Sequence, residues 1–317
     1  MNDYLIRFAL LRERAFREPN NRELFRQLLL CMELTGNYPE SRELYEEILE
    51  QHPYCSYAWY NLGWACVSLS APDEALEAFE YAYITMPVFE EAYRAYIELA
   101  FERGFYRRVL HCYTEMQAQV DIDSEILART AECHRRLGET RMAKKICRQV
   151  LQSDPYCAEA YYQLGACFAL EKDYRAAARW MREAIRTEEQ REEFHSALAA
   201  VYGYLGQPEK ALGHFWRAVE IAPEESEFWL QLADYLIHTG EMTQAREVLE
   251  QALENAYGAD LLYCSAACQL LAGDRDSGVF TLQQALAADA SRQTSIYRWA
   301  PALRDDAEIT GLLNSFK

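Results

Sequence analysis

The side chains best equipped for covalent or metal chemistry in this chain are ten cysteines and six histidines. Their spacing argues against both uses. Cys31, Cys133, Cys167 and Cys268 recur in one register, with Cys66 one residue further on, as small apolar packing residues do. Cys264 and Cys268 are one helical turn apart and supply at most two of the four ligands a soft metal takes. His52, His111, His134, His195, His214 and His238 show no metal-ligand spacing, and His195 falls in an apolar stripe, where a packed histidine is expected. No nucleophile elbow, phosphate loop or dinucleotide fingerprint occurs. The expectation is therefore no catalytic residue, no metal ligand and no cofactor. Binding chemistry is better represented. Tyr57, Tyr60 and Trp64 recur at i, i+3 and i+7, which puts three aromatics on one helix face. That face differs from the packing stripe of Trp59, Leu62, Gly63 and Cys66.

The elements that carry these residues repeat. From Ser56 to Phe89 the chain reads SYAWYNLGWACVSLSAPDEALEAFEYAYITMPVF. Trp59, Leu62, Gly63 and Cys66 share one face of a first helix, and Ala75, Phe79 and Ala82 share one face of a second. Steps of 34 residues give further starts at Arg22, Glu90, Ser124, Ala158, Glu192 and Ser226, with one residue lost before a last start near Ala259. Gly165 repeats Gly63. Ala143, Ala177, Ala211 and Ala245 repeat Ala75, and Pro53, Pro155 and Pro223 repeat Pro87. The proline ends the second helix, because it lacks an N–H and clashes with the preceding turn. This unit resembles the tetratricopeptide repeat. The resemblance implies an all-α, right-handed superhelix of about eight helix hairpins, stacked because no hairpin can bury both its faces alone. The expected layout is an N-terminal capping helix in 1–21 (a lone second-type helix over Asp3–Glu18), an array over 22–290 and closing helices over 291–317. The closing pair is expected at Ser295–Arg304 and Asp306–Phe316, with Asp305 or Asp306 as N-cap.

In such repeats the second, fifth, ninth, twelfth and thirteenth residues of the first helix line a concave groove. Carried onto this chain, the resemblance implies a partner groove of Arg26, Leu30, Tyr57, Tyr60, Asn61, Trp64, Arg94, Glu98 and Phe101, with Leu34 beside it. Aromatics among arginines are the usual material of binding hot spots. The second-place row, Glu23, Tyr57, Glu91, Glu125, Glu159, Glu193, Glu227 and Asp260, is an acidic stripe for a basic segment or simply first-turn carboxylates facing helix dipoles. The carboxylate clamp of chaperone-tail readers is not matched, since Leu30, Glu91 and Ala95 occupy three of its places. A looser surface would comprise Tyr162, Tyr204, Asp234, His238 and Tyr263.

Charge narrows the partner. The chain of 317 residues carries a net −18, which repels nucleic acid and anionic lipid and favours a neutral or basic protein or peptide. Residues 124–157 run against this at +3, so Arg135, Arg136, Lys144 and Lys145 form a second possible surface, for an acidic partner or another copy. Residues 226–258 stand at −5. The N-terminus, broken by Arg7, Arg12 and Arg14, lacks the form of a signal peptide, and no apolar run reaches membrane-spanning length. With ten cysteines and no secretion signal, the reading is a reduced, cytoplasmic setting. The expected function is a non-enzymatic scaffold that holds a peptide or partner helix in its groove. The alternatives are a self-associating assembly protein, with Tyr297 or Trp299 in its contact surface, or a peptide-responsive regulator.

Overall fold

The structure is a computed structural model and describes residues 2–120 and 124–316. Among the described residues the regular structure is helical, without strands. A first helix, α1 (Asn2–Arg17), is followed by hairpins of two antiparallel helices. These are α2 (Arg22–Thr35) with α3 (Tyr38–Gln51), α4 (Ser56–Ser68) with α5 (Pro72–Thr85), and α6 (Glu90–Glu102) with α7 (Tyr106–Gln119). Then come α8 (Ser124–Arg136) with α9 (Thr140–Ser153), α10 (Ala158–Leu170) with α11 (Tyr174–Thr187), and α12 (Glu192–Tyr204) with α13 (Pro208–Ile221). The last are α14 (Ser226–Thr239) with α15 (Met242–Asn255) and α16 (Ala259–Leu271) with α17 (Arg275–Asp289). The chain divides into two compact units, Met1–Ile146 and Cys147–Lys317, with the boundary inside α9.

Each hairpin turns at an equivalent residue with a left-handed backbone. Glycine takes that place at Gly36, Gly104, Gly138, Gly206, Gly240 and Gly273, while Ser70 and Lys172 adopt it at φ 58° and 62°. Side chains open several helices: Asn21 accepts from the Leu24 N–H at 3.1 Å, and Asp173 from the Ala176 N–H at 3.1 Å. Within a hairpin the helices approach closely where glycine stands. A Cβ on Gly63 would lie 2.4 Å from the Phe79 ring, and one on Gly165 would lie 2.7 Å from Cγ of Met181.

Successive hairpins are tied at one recurrent contact. The fourth residue of a first helix donates to the carbonyl at or replacing the preceding proline: Trp59 Nε1 to Pro53 O at 2.8 Å, Tyr161 Oη to Pro155 O at 3.2 Å, and Trp229 Nε1 to Pro223 O at 2.8 Å. His195 does the same through Nε2, to Glu189 O at 3.1 Å. All ten cysteines are buried, and Cys264 and Cys268 hydrogen-bond each other, as packing residues would.

The closing segment departs from the expected pair of helices. Residues 290–305 break into a 3-10 turn (Ala290–Ser295), a single helical turn α18 (Ile296–Trp299) and another 3-10 turn (Pro301–Asp305). Pro301 is the cause, because it forces Ala300 out of the helical region, to φ −129° and ψ 70°. The last helix, α19 (Ala307–Ser315), forms with Asp306 as its N-cap, accepting from the Glu308 and Ile309 N–H groups. Arg275 clamps Asp306 at 2.8 Å and Glu308 at 2.7 Å, fastening α19 to α17.

Candidate functional site

In the first unit, α2, α4 and α6 are successive first helices, and steps of 34 residues align their exposed rows. The fifth places are Arg26, Tyr60 and Arg94. The ninth are Leu30, Trp64 and Glu98, and the twelfth are Glu33, Val67 and Phe101. An ion pair between Arg22 and Glu91 links α2 to α6 across α4. In a flat stack two helix spacings of about 8–10 Å each would separate those helices. The contact therefore marks this face as curving inward around α4.

The aromatics of α4 are half-buried, each with one side against the core. Tyr57 stacks on Phe25 at 6.1 Å and meets Phe89 edge-on at 5.3 Å. Tyr60 lies 5.1 Å from Phe89 and 5.8 Å from Phe79, and Trp64 meets Phe79 at 5.6 Å. Packing thus uses part of every ring and fixes its orientation. What remains outward is Tyr60 with Trp64, edge to face at 6.3 Å, beside Leu30 and Leu34, which are 41% and 51% exposed. Burial raises the Tyr60 phenol above its ordinary range, and the carboxylates of Glu91, Glu33 and Glu98 push the same way, against a hydrogen bond with Trp64. Glu33 and Glu98 have no ion-pair partner among the described residues. They form an acidic rim around an apolar patch. Phe101 is half-buried against Tyr106 at 5.3 Å.

Other expected groove residues are engaged elsewhere. Asn61 is 2% exposed and donates Nδ2 to Phe25 O at 2.8 Å and to the Tyr45 hydroxyl at 3.2 Å. It joins α4 to α2 and α3 and does not face the groove. Arg26 is held by Glu23 at 2.8 and 2.9 Å, which lowers that carboxyl to about 2. Arg94 is held by Glu90 at 2.6 Å. The arginines frame the patch as neutralised pairs.

The acidic second-place row resolves the same way. Glu91 pairs with Arg22 and Asp260 with Arg292, while Glu159, itself buried, faces Arg191 at 3.5 Å. Glu193 faces Arg191 at 3.4 Å, and Glu227 accepts from Gln231 at 3.0 Å. The side chain of Glu125 lies outside the described residues. Glu91, Glu159 and Asp260 thus join different elements, while Glu23, Glu193 and Glu227 are held beside or within their own helix, so the row is not an open stripe.

Neither secondary surface forms as expected. Arg135 and Arg136 converge on Glu132 at 3.0 and 3.1 Å, and Lys144 is half-buried, leaving Lys145 exposed. Tyr263 is buried, with its hydroxyl on Asp289 O at 2.9 Å. Tyr162 stacks on Phe194 at 4.8 Å and Tyr204 on Tyr174 at 4.7 Å. Asp234 accepts from Trp299 Nε1 at 3.0 Å and Arg298 at 3.2 Å, and the His238 ring bonds its backbone oxygen. Trp299 is consequently buried and unavailable to another copy.

One pair escapes the sequence reading. His195 Nδ1 and His214 Nδ1 are 3.0 Å apart, with Tyr202 stacked on His214. Nε2 of His195 donates to Glu189, so its Nδ1 accepts and His214 donates; both rings are neutral. Burial lowers both, His214 to about 4, with the His195 ring adding to the effect. Places four and twenty-three of one repeat face each other across the hairpin, and that register was the available signal. Among the described residues no three His, Cys, Asp or Glu side chains are grouped to hold a metal ion, and no helix is long and apolar enough to cross a membrane.

Known proteins are similar in architecture. A tetratricopeptide-repeat family model matches residues 90–257, more than half the chain, and a second such model matches residues 35–98. The TPR repeat-containing protein YpiA of Bacillus subtilis is 21% identical over 72% of this chain and 54% of its own length. The human Superkiller complex protein 3 is 23% identical over 66% of this chain, which spans only 14% of it. Against the curated relatives it matches, the chain therefore spans about half the length or less. Among solved structures, a chain of the APC/C hetero-tetramer Cut9–Hcn1 superposes with a TM-score of 0.52 at 15% identity, covering 79% of this chain and 49% of that one. A tetratricopeptide repeat protein from Parabacteroides merdae gives a TM-score of 0.51 at 17% identity, covering 79% and 95%.

Proposed function

Since the chain belongs to the tetratricopeptide-repeat family, whose members generally mediate protein–protein interactions, we propose that it is a non-catalytic scaffold. Its inward face over α2, α4 and α6 holds a partner segment that carries apolar side chains and positive charge. The observation behind this reading is the exposed pair Leu30 and Leu34 beside the outward edges of Tyr60 and Trp64, rimmed by the unpaired Glu33 and Glu98. Completing the burial of each leucine would contribute about 1 kcal/mol. The rings already have fixed orientations, so little side-chain entropy is lost when they are covered. The two carboxylates steer a cationic segment and select its register.

Peptide display against the purified protein tests the reading, with Leu30→Glu/Leu34→Glu as the counter-selected control. Both leucines are exposed, so the control keeps its fold. The expected result is enrichment of peptides that combine large apolar residues with Lys or Arg and that the control does not retain. Enrichment of the same peptides by both proteins, or no enrichment, contradicts it.

A further inference from the structure

The second unit carries charges on its outer side that no ion pair within it uses. The second helices α11, α13 and α15 belong to three consecutive hairpins, so α13 lies between the other two. On α11, Arg175, Arg179 and Arg182 recur at steps of four and three, exposed and without an ion pair among the described residues, Arg179 lying 4.8 Å over the Trp180 ring. Arg186, on the same stripe, is already held by Glu183 at 2.8 Å. On α15, Glu247, Glu250 and Glu254 recur at steps of three and four, also exposed and unpaired among the described residues. One face thus shows three cations without an ion pair on one rung and three such anions two rungs away.

The rung between them is unusual at its centre. Gly213 stands mid-helix in α13, exposed, and a Cβ there would meet nothing within 4 Å. The other glycines inside hairpin helices, Gly63, Gly165, Gly203 and Gly278, each remove a Cβ that would lie under 3.0 Å from a neighbour. Gly213 weakens its helix by about 1 kcal/mol relative to alanine without any such internal reason. Trp216, three residues on along the same stripe, is half-buried with its ring edge-to-face on Trp229 at 6.2 Å.

We propose that this outer face pairs with the same face of a second copy about a two-fold axis passing α13. The symmetry does what the charges require. A two-fold axis at the middle rung exchanges the outer rungs, so α11 of one copy faces α15 of the other, and the reverse. Antiparallel α13 helices that cross midway between Gly213 and Trp216 set each Trp216 over the partner's Gly213, where the missing Cβ leaves room for the ring. Of the acids of α13, Glu220 is held by Arg217 at 3.1 Å, and the antiparallel crossing brings that pair opposite Glu209 of the other copy. Long Arg and Glu side chains reach across where the faces curve apart. The contact is three short helices wide, about 20 Å by 20–30 Å. That is the size of a weak, reversible dimer. It shares no residue with the inward face of the first unit.

Sedimentation equilibrium of the full chain tests the proposal. The wild type should move from 36.8 kDa toward twice that mass as concentration rises to about 200 μM, the range of weak contacts. Arg179→Glu/Arg182→Glu and Glu247→Arg/Glu250→Arg should each weaken pairing about tenfold or more. Mixed in equal amounts, the two variants should regain the wild-type affinity, because every opposing charge is again complementary. Gly213→Gln should abolish pairing while leaving helicity intact and the thermal midpoint equal or higher. A wild type that stays monomeric throughout overturns the proposal. So does a dimer unmoved by both reversals, or a mixture as weak as its components.

Discussion

Asn61 shows how much hangs on one residue's direction. It sits beside three groove aromatics in the sequence yet spends both amide hydrogens on Phe25 O and the Tyr45 hydroxyl. Asn61→Ala should therefore lower stability by about 1–3 kcal/mol, through a lost buried hydrogen bond and a small cavity. Urea unfolding measures this, and the folded fraction should bind partner normally. The sequence could not make that distinction, because the sixth place lies between the groove face and the packing face, and only the position of Tyr45 decides which it joins. His195 and His214 give a pH prediction. Both are lowered by burial, His214 to about 4 from an ordinary 6.5. The unfolded chain then binds more protons than the folded one between those values, so stability falls as pH drops through that window. Solvent reaches part of the ring and screens the effect, so the loss traceable to His214 should be about 1 kcal/mol by pH 5. Replacing it with Gln should flatten that part of the stability–pH curve, measured by thermal melts from pH 7.5 to about 4.5.

At the scale of the element, the hairpin was the most legible feature. Small residues where helices cross, prolines after second helices and a 34-residue step are short-range constraints, and each leaves a residue type behind. The turn between the paired helices illustrates the rule and its exceptions. Six glycines occupy the left-handed place, and Ser70 and Lys172 hold it with side chains attached. Lys172→Gly should raise stability by about 1 kcal/mol, since it removes the clash of a Cβ in that region. Gly63→Ala should have the opposite sign, about 1–3 kcal/mol destabilising, because its new Cβ would fall on the Phe79 ring. Melting both variants beside wild type tests the two signs in one experiment. The closing segment was less legible. Its apolar spacing suits two helices, but Pro301 overrides the pattern and leaves one helical turn flanked by 3-10 turns.

Over the whole molecule, net charge gave the sign of the field but not its wiring. A chain at −18 suggests open acidic stripes, whereas the described acids of the row that looked like one are held by arginine or glutamine, Glu91, Glu159 and Asp260 from another element. Those three pairings join residues about one or two repeats apart, and no local pattern encodes them. Among the charges without an ion pair, Glu33 and Glu98 stand around an apolar patch in the first unit, and opposed Arg and Glu stripes lie on the second. The central claim is that the patch is where a partner binds. Its most direct test is a calorimetric titration of a display-selected peptide into wild type and Leu30→Glu/Leu34→Glu. The dissociation constant should weaken about a hundredfold or more, with helicity unchanged, as expected when charges replace the apolar contacts of a central anchor. Equal affinity for the two proteins would contradict it.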